Sequence, residues 1–207
     1  MRIGVTGLLA VVTLVAAACG GGHGGAAEPP STSSLASVPV SSATATPAVS
    51  PTSPATSGPN VRPGERPPAM PAAAKQHTQE GALAFAGFFI RALDWSIATT
   101  DPKLLIPISD PACLACGSYV EEIRDLRVHG GYIRGGRISL SAAEINQSVS
   151  RTGVEYVITI NTVQQPDSII GKSQSPLSQE TSTERLKSNL LLVWRQGSWV
   201  VSGLEAQ

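Results

Sequence analysis

"TQEGALAFAGFFIRALDWSIATTDP", residues 78–102, is the stretch that decides the fold. Thr78 is a candidate N-cap, and Phe85, Phe89 and Leu93 follow it at helical spacing. Apolar residues occupy most of the circumference of this predicted helix, so other elements of the domain must enclose it. An aromatic stripe at this spacing is more typical of a core than of a ligand site. The stretch therefore predicts the central helix of a folded domain.

A second helix is predicted after this one. Ser118 and Glu121 have the spacing of a capping box, and Gly130 and Gly131 form a typical helix stop.

The chain then changes from helical to strand periodicity. "RISLSAAEI", residues 137–145, places Ile138, Leu140 and Ala142 on one face, and "VEYVITINTV", residues 154–163, alternates in the same way. These patterns predict two strands, each with one face toward the core.

The end of the chain predicts a hairpin. A polar loop is expected over residues 164–182, and "LLLVWRQGSWVV", residues 190–201, then turns at Gln196-Gly197 between two tryptophans. Helices followed by antiparallel strands indicate an α+β domain, which we place at residues 75–207.

An apolar helix ahead of a sheet that closes with "WRQGSWVV", residues 194–201, resembles the cone-shaped fold of the nuclear transport factor 2-like superfamily. The resemblance covers most of residues 78–206 and implies N-terminal helices packed on a curved antiparallel sheet. Members of that superfamily include isomerases and hydratases that set an acid, often beside a tyrosine, inside the cone. An apolar pocket shifts the pKa of such an acid, which lets it exchange a proton near neutral pH.

The N-terminus is predicted to be an export signal. Arg2 precedes an uncharged run of 16 residues that ends in small side chains just before Cys19, and this run is shorter than a membrane-spanning helix. Residues 1–18 resemble a bacterial lipoprotein signal peptide. The resemblance implies that Cys19 carries at least two acyl chains, palmitate among them, and anchors the chain on the extracytoplasmic face of the cell membrane. An ordinary secretory signal is the alternative.

Residues 19–74 are predicted to be the acylated cysteine and a disordered linker. They contain no aromatic residue, and residues 31–58 hold 14 Ser or Thr residues among prolines. Such a composition cannot bury enough apolar surface to fold. The segment is expected to hold the domain away from the membrane.

The chain as a whole resembles a family of uncharacterised actinobacterial lipoproteins that carry one domain of unknown function. The shared features are Cys19, the linker, "MPAAAKQHTQEGALAF" (residues 70–85), "DPACLACGSY" (residues 110–119) and "HGGYIRGGRISL" (residues 129–140). The family has no established activity, so this resemblance implies a location and a domain type but no chemistry.

Cys113 and Cys116 are predicted to form a structural disulfide, because an extracytoplasmic compartment permits one and residues three apart can meet its geometry. A reactive thiol pair at a helix N-terminus is the alternative. A metal site is not expected, since the chain has three histidines and no second CxxC motif. No cofactor is predicted.

Asp94, with Tyr119 or Tyr156 as hydrogen-bond donor, is the candidate catalytic group if the cone forms a pocket. The alternative is that Asp94 faces solvent beside Arg91, three residues earlier on the helix.

Two functions remain open. The first is a tethered, non-catalytic module that binds an envelope protein or a small ligand. The second is a small-molecule enzyme that uses Asp94 in the cone. Residues 75–207 carry a net charge of −1, which gives no basic surface for nucleic acid.

Overall fold

The structure is a computed structural model that describes residues 53–146 and 153–207. The predicted signal peptide, Cys19 and the linker as far as residue 52 lie outside the described residues, as do residues 147–152. The described part is a mixed structure of helices and antiparallel sheets, which confirms the α+β class. Its helices and strands, in chain order, are α1 Gln79–Thr99, α2 Leu114–Val128, β1 Tyr132–Gly135, β2 Ile138–Ile145, β3 Tyr156–Gln164, β4 Asp167–Ile170, β5 Pro176–Glu180, β6 Glu184–Arg195 and β7 Ser198–Ala206.

The predicted central helix is α1, and it buries 14 of its 21 residues. Thr78 caps it as predicted, since its hydroxyl accepts a hydrogen bond from the Gly81 amide at 3.0 Å. The helix ends where Thr100 adopts the left-handed backbone conformation, with φ 53°. Although α1 is long and apolar enough to cross a membrane, it is here the buried core helix of the domain.

The main sheet is antiparallel and has the strand order β2-β3-β6-β7. Its inner face packs on α1, which contacts β2 and β3. Ile158, Leu190 and Leu192 of the sheet are fully buried there, against Phe85 and Phe89 of the helix. The burial of these apolar side chains is the main source of stability in the domain.

Strand β2 departs from the predicted alternation because it contains a bulge between Leu140 and Ala142. Ile138 and Leu140 pack on the core as predicted, but Ala142 is exposed and Ala143 takes the inward position instead. A bulge inserts one residue into a strand and exchanges the two faces beyond it.

The predicted hairpin at the end of the chain is confirmed. It joins β6 to β7 with Trp194 opposite Trp199. Gln196 and Gly197 form the turn with φ values of 52° and 81°, the left-handed pair that a two-residue hairpin loop requires.

A second, smaller sheet has the strand order β1-β4-β5. The prediction of a polar loop over residues 164–182 is therefore wrong, because β4 and β5 lie within that range. These strands, "DSII" and "PLSQE", contain four and five residues and are too short for a periodic pattern to show. The pairing of β4 with β1, more than 30 residues earlier, is a long-range contact that a local pattern cannot predict.

Helix α2 begins at Leu114, four residues before the predicted cap at Ser118. The cap residue is Cys113, whose sulfur accepts a hydrogen bond from the Cys116 amide at 3.3 Å. The Ser118 hydroxyl instead donates to the Leu114 carbonyl within the helix, at 3.0 Å. The stop is as predicted, because the helix ends at Val128, just before the two glycines.

Residues 53–74, called here the strap, pack against the domain. The indole N–H of Trp95 donates to the Ala55 carbonyl at 3.0 Å, and the Ala55 amide donates to the Asp101 carboxylate at 3.0 Å. These hydrogen bonds fix the strap beside the end of α1.

We expect Phe89→Ala to lower the free energy of unfolding by about 3–5 kcal/mol, because the ring is 1% exposed and its loss leaves a cavity between α1 and the main sheet. Chemical denaturation measures this loss. Val128→Ala is the control, since its side chain is 80% exposed and its removal should change stability by less than about 0.5 kcal/mol. A loss equally small for Phe89→Ala would show that the ring lies outside the core.

Candidate functional site

Asp94 lies on α1 and is bound by the guanidinium of Arg137. The Arg137 Nε lies 3.0 Å from Oδ1 and 3.1 Å from Oδ2 of Asp94, and Nη2 lies 2.6 Å from Oδ2. The Ile138 amide also donates to Oδ1 at 2.8 Å. The side chain of Asp94 is 14% exposed, so the prediction that Asp94 faces solvent beside Arg91 is wrong. Its carboxylate joins α1 to the start of β2.

Arg137 also holds the strap. Its Nη1 donates to Glu65 Oε2 at 2.9 Å and to the Asn60 carbonyl at 3.4 Å. The hydrogen bond with Asp94, followed by that with Glu65, raises the pKa of Arg137, while the hydrogen bond from Arg137 lowers the pKa of Glu65. Groups that stay ionised at neutral pH are suited to an ion-pair network and not to proton transfer.

The two candidate tyrosines lie apart from Asp94. In the described residues the hydrogen-bond partners of Asp94 are Arg137 and Ile138. Tyr156 instead packs edge-on against Trp199, with 5.6 Å between the ring centroids, and Tyr119 lies on α2. The structure does not assemble the acid and tyrosine site that the sequence suggested.

The space between α1 and the main sheet is filled by aromatic side chains. Phe85, Phe88, Phe89 and Trp199 are each no more than 4% exposed. This interior is a close-packed core, in which a side chain contacts its neighbours on all sides.

A polar and aromatic cluster covers one edge of this core. The ring of His77 stacks on Trp194 at 4.7 Å, and its Nε2 lies 2.5 Å from Glu155 Oε1. The indole of Trp199 donates to the Gln76 carbonyl at 2.9 Å. Because His77 and Glu155 are 78 residues apart, their spacing in the sequence gave no sign of this contact. The cluster fixes the residues before α1 on the main sheet.

Cys113 and Cys116 form a disulfide, with 5.3 Å between their Cα atoms. Both residues are 2% exposed, so neither sulfur is open to an external thiol. This burial supports a structural role at the first turn of α2. Across residues 53–146 and 153–207, no group of three or more His, Cys, Asp or Glu side chains is placed to hold a metal ion.

A groove of about 820 Å³ lies between α2 and the hairpin formed by β4 and β5, and we call it the α2 groove. Leu126 of α2, Ile169 and Ile170 of β4 and Leu177 of β5 give it an apolar lining. Ile170 is fully buried at its base, whereas Leu177 is 72% exposed. A large apolar side chain left open to water in a concave site is typical of a contact surface.

Two glycines bring the end of α2 against β4 and so close one end of the groove. Gly130 takes a left-handed conformation with φ 66°, and the Gly131 amide donates to the Leu126 carbonyl at 2.7 Å. A Cβ on Gly131 would lie 2.8 Å from the Ile170 carbonyl oxygen, so a larger residue would push the two elements apart.

The α2 groove carries opposite charges at its two ends. Glu122 lines one end and has no hydrogen-bond or ion-pair partner among the described residues. Burial, and then the negative charge of Asp167, raises the pKa of Glu122. Lys172 lines the other end, where its Cγ lies 3.7 Å from the position of a Cβ on Gly130.

Tyr119 lies one helical turn before Glu122. Burial, and then the charge of Glu122, raises the pKa of the Tyr119 hydroxyl. This candidate residue therefore lies beside the acidic end of the α2 groove and not beside Asp94.

Sequence reasoning missed the α2 groove because half of its lining comes from the segment predicted to be a loop. Leu177 stands between Pro176 and Ser178 in that segment. A leucine alternating with polar residues in "SPLSQE" is a weak strand signal, and it was the only local sign of β5.

A family model described as a family of unknown function, DUF6318, matches residues 52–205, about three quarters of the chain. The chain belongs to DUF6318. This membership confirms the resemblance to a family with one domain of unknown function, whereas the actinobacterial source and the lipid anchor stay predictions. The match begins at residue 52, so it includes the strap as well as the helices and sheets of the DUF6318 domain.

No curated protein matches the sequence of this DUF6318 chain. Among solved structures, the domain is similar to the intermembrane space region of chloroplast protein ARC6, with 9% identity and a TM-score of 0.45. The alignment covers 63% of this chain and 97% of that one. A likeness at this level says nothing about the function of the DUF6318 domain.

We expect Glu122→Gln to stabilise the DUF6318 domain at pH 7. Because burial raises the folded-state pKa of Glu122 above its ordinary value of 4.5, folding favours the protonated carboxyl. The stability of the wild type should therefore fall as the pH rises from 4.5 through the folded-state pKa, and the glutamine variant should lack this part of the fall. Thermal unfolding at a series of pH values measures the difference.

Glu121→Gln is the matched control, because Glu121 is 70% exposed and pairs with Arg124 at the surface. It should change stability little and should not show the same pH dependence. A destabilised Glu122→Gln variant at pH 7 would mean that the carboxylate makes a stabilising contact.

Proposed function

We propose that this chain is a lipid-anchored cell-envelope protein whose domain is a non-catalytic binding module, with the α2 groove as its contact surface. The α2 groove is the observation that carries the proposal. It exposes Leu177 and leaves the half-buried Glu122 without a partner among the described residues. Contact with a partner would remove the Leu177 side chain from water and offset the cost of half-burying the Glu122 carboxylate.

The enzyme alternative relied on Asp94 as an acid inside an open cone. Arg137 and the Ile138 amide bind both carboxylate oxygens of Asp94, which supports a structural role for it. Phe89 and Trp199 are buried and fill the interior between α1 and the main sheet. These contacts favour a binding module over the isomerase-like or hydratase-like enzyme.

We assign the finer fold to the cone-shaped nuclear transport factor 2-like type. Its support is the packing of one long apolar helix, α1, on the inner face of a four-stranded antiparallel sheet that ends in the hairpin of Trp194 and Trp199. In this assignment the small sheet lies outside the cone interior, while α2 contributes Val120 and Ile123 to the core and Glu122 and Leu126 to the groove. A partner can therefore bind the groove without entering the core.

The proposed location is the extracytoplasmic face of the cell membrane. Residues 1–18 act as the signal peptide, Cys19 carries the acyl chains, and the linker after it leads to the domain. The disulfide between Cys113 and Cys116 supports this location, because such bonds persist in oxidising compartments. An envelope protein near the membrane is the partner that this arrangement would reach.

The binding function predicts a partner that depends on the α2 groove. Full chain immobilised on beads should recover an envelope protein from a detergent extract, and Leu177→Asp should reduce recovery about tenfold by placing a charge at the exposed apolar contact. Leu114→Asp is the matched control, since Leu114 is 85% exposed on α2 and lies outside the groove. Quantitative mass spectrometry compares the three proteins.

Equal recovery by Leu177→Asp would remove the α2 groove from the function. A small-molecule turnover that Asp94→Asn abolishes, with folding intact, would replace the binding module by the enzyme.

The lipid anchor predicts that Cys19→Ala moves the protein out of the membrane, because the acyl chains on Cys19 are its proposed attachment to the bilayer. Detergent phase partitioning of cells that express each form measures this change, with the wild type in the detergent phase and the variant in the aqueous phase. If both forms entered the aqueous phase, Cys19 would not be acylated.

A further inference from the structure

The arrangement of charges in the α2 groove points to a class of partner. We infer that the groove binds an extended protein segment with a Lys or Arg, an apolar residue and an Asp or Glu at alternate positions along its chain. The inference rests on the proposed function and names the partner of that same surface.

The acidic end of the groove selects the cation. Glu122 faces the groove without a partner among the described residues, while Asp125, one turn later, lies 3.2 Å from His129 Nδ1. Asp167 is near enough to Glu122 to disfavour its ionised form. A Lys or Arg from a partner would offset the cost of ionised Glu122 and pair with it at short range.

The opposite end of the groove selects the carboxylate. Lys172 stands there beside Gly130, and His129 lines the same end of α2. Lys172 supplies hydrogen-bond donors and a full positive charge for an anionic group, whereas the Nδ1 of His129 is already occupied by Asp125. Leu126 and Leu177 lie on the walls between the charged ends and suit an apolar side chain.

The length of the groove matches an extended segment. Glu122 and Gly130 are eight positions apart along α2 and its cap, which corresponds to about 12 Å along a helix axis. An extended chain advances about 3.3 Å per residue, so four steps span about 13 Å. Side chains two residues apart share one face of such a chain. The cation, the apolar residue and the carboxylate therefore fall at positions i, i+2 and i+4.

The small sheet gives this segment a backbone partner. In the described part of the chain, β5 pairs with β4 alone and forms one edge of the sheet. Leu177, which lines the groove, belongs to this edge strand. An extended segment can add to the free edge of β5 through main-chain hydrogen bonds while its side chains enter the groove.

The test is a titration of the isotope-labelled full chain, followed by NMR, with a capped peptide of sequence Gly-Lys-Ser-Leu-Ser-Glu-Gly. The amide signals of Leu126, Lys172 and Leu177 should shift in a saturable way. Replacement of the central leucine of the peptide by serine should weaken binding about tenfold. Absence of shifts in the groove at about 5 mM peptide overturns the inference.

A charge reversal at Glu122 distinguishes specific recognition of the cation from non-specific binding. Glu122→Lys should weaken binding of this peptide about tenfold and should bind better than the wild type to the peptide that carries Glu in place of Lys. Glu121→Lys is the control on the exposed side of α2 and should leave both affinities unchanged. Equal effects of the two substitutions, or none from Glu122→Lys, overturn the inference.

The failure of this inference is distinguishable from failure of the proposed function. Recovery of an envelope protein that depends on Leu177 but not on Glu122 overturns the charged segment and leaves the binding module in place. If the wild-type chain recovers no envelope protein and binds no peptide, both the proposed function and this inference are overturned.

Discussion

The structure depends on the need to remove α1 from water on almost every side. A helix with apolar residues around most of its circumference cannot be covered by one face of a sheet. The main sheet covers the side of Phe85 and Phe89, while the strap covers the side of Trp95. Because apolar burial is the dominant favourable term in folding, these elements take their positions from the helix they enclose.

Apolar burial brings elements together but does not set their relative orientation, because it is non-directional. The hydrogen bonds of the Asp94–Arg137 pair are directional and set that orientation. The pair joins α1 to the residue before β2, and Arg137 also binds Glu65 of the strap. The two side chains are 14% and 17% exposed, so the pair keeps some hydration and avoids the full cost of a buried ion pair. The pair therefore fixes the positions of α1, β2 and the strap relative to one another.

Sequence reasoning succeeded where the signal is local and failed where the structure depends on distant pairing. The cap at Thr78 and the turn at Gln196-Gly197 are set by residues within four positions of each other, and both were predicted. The position of the Asp94 carboxylate depends on Arg137, which is 43 residues away. The bulge before Ala142 depends on the pairing of β2 with β3. Strands β1, β4 and β5 are too short to show a periodic pattern, so the groove that two of them border could not be predicted.

The residues that line the α2 groove lie outside the core cluster around α1. Phe89 and Trp199 cannot be replaced without opening a cavity, because each is enclosed on all sides. Leu177 is largely exposed and Glu122 is half-buried, so substitutions at these two positions alter the groove without removing a side chain from the core. In the proposed binding module, the core can stay the same while the lining of the α2 groove is adjusted to a partner.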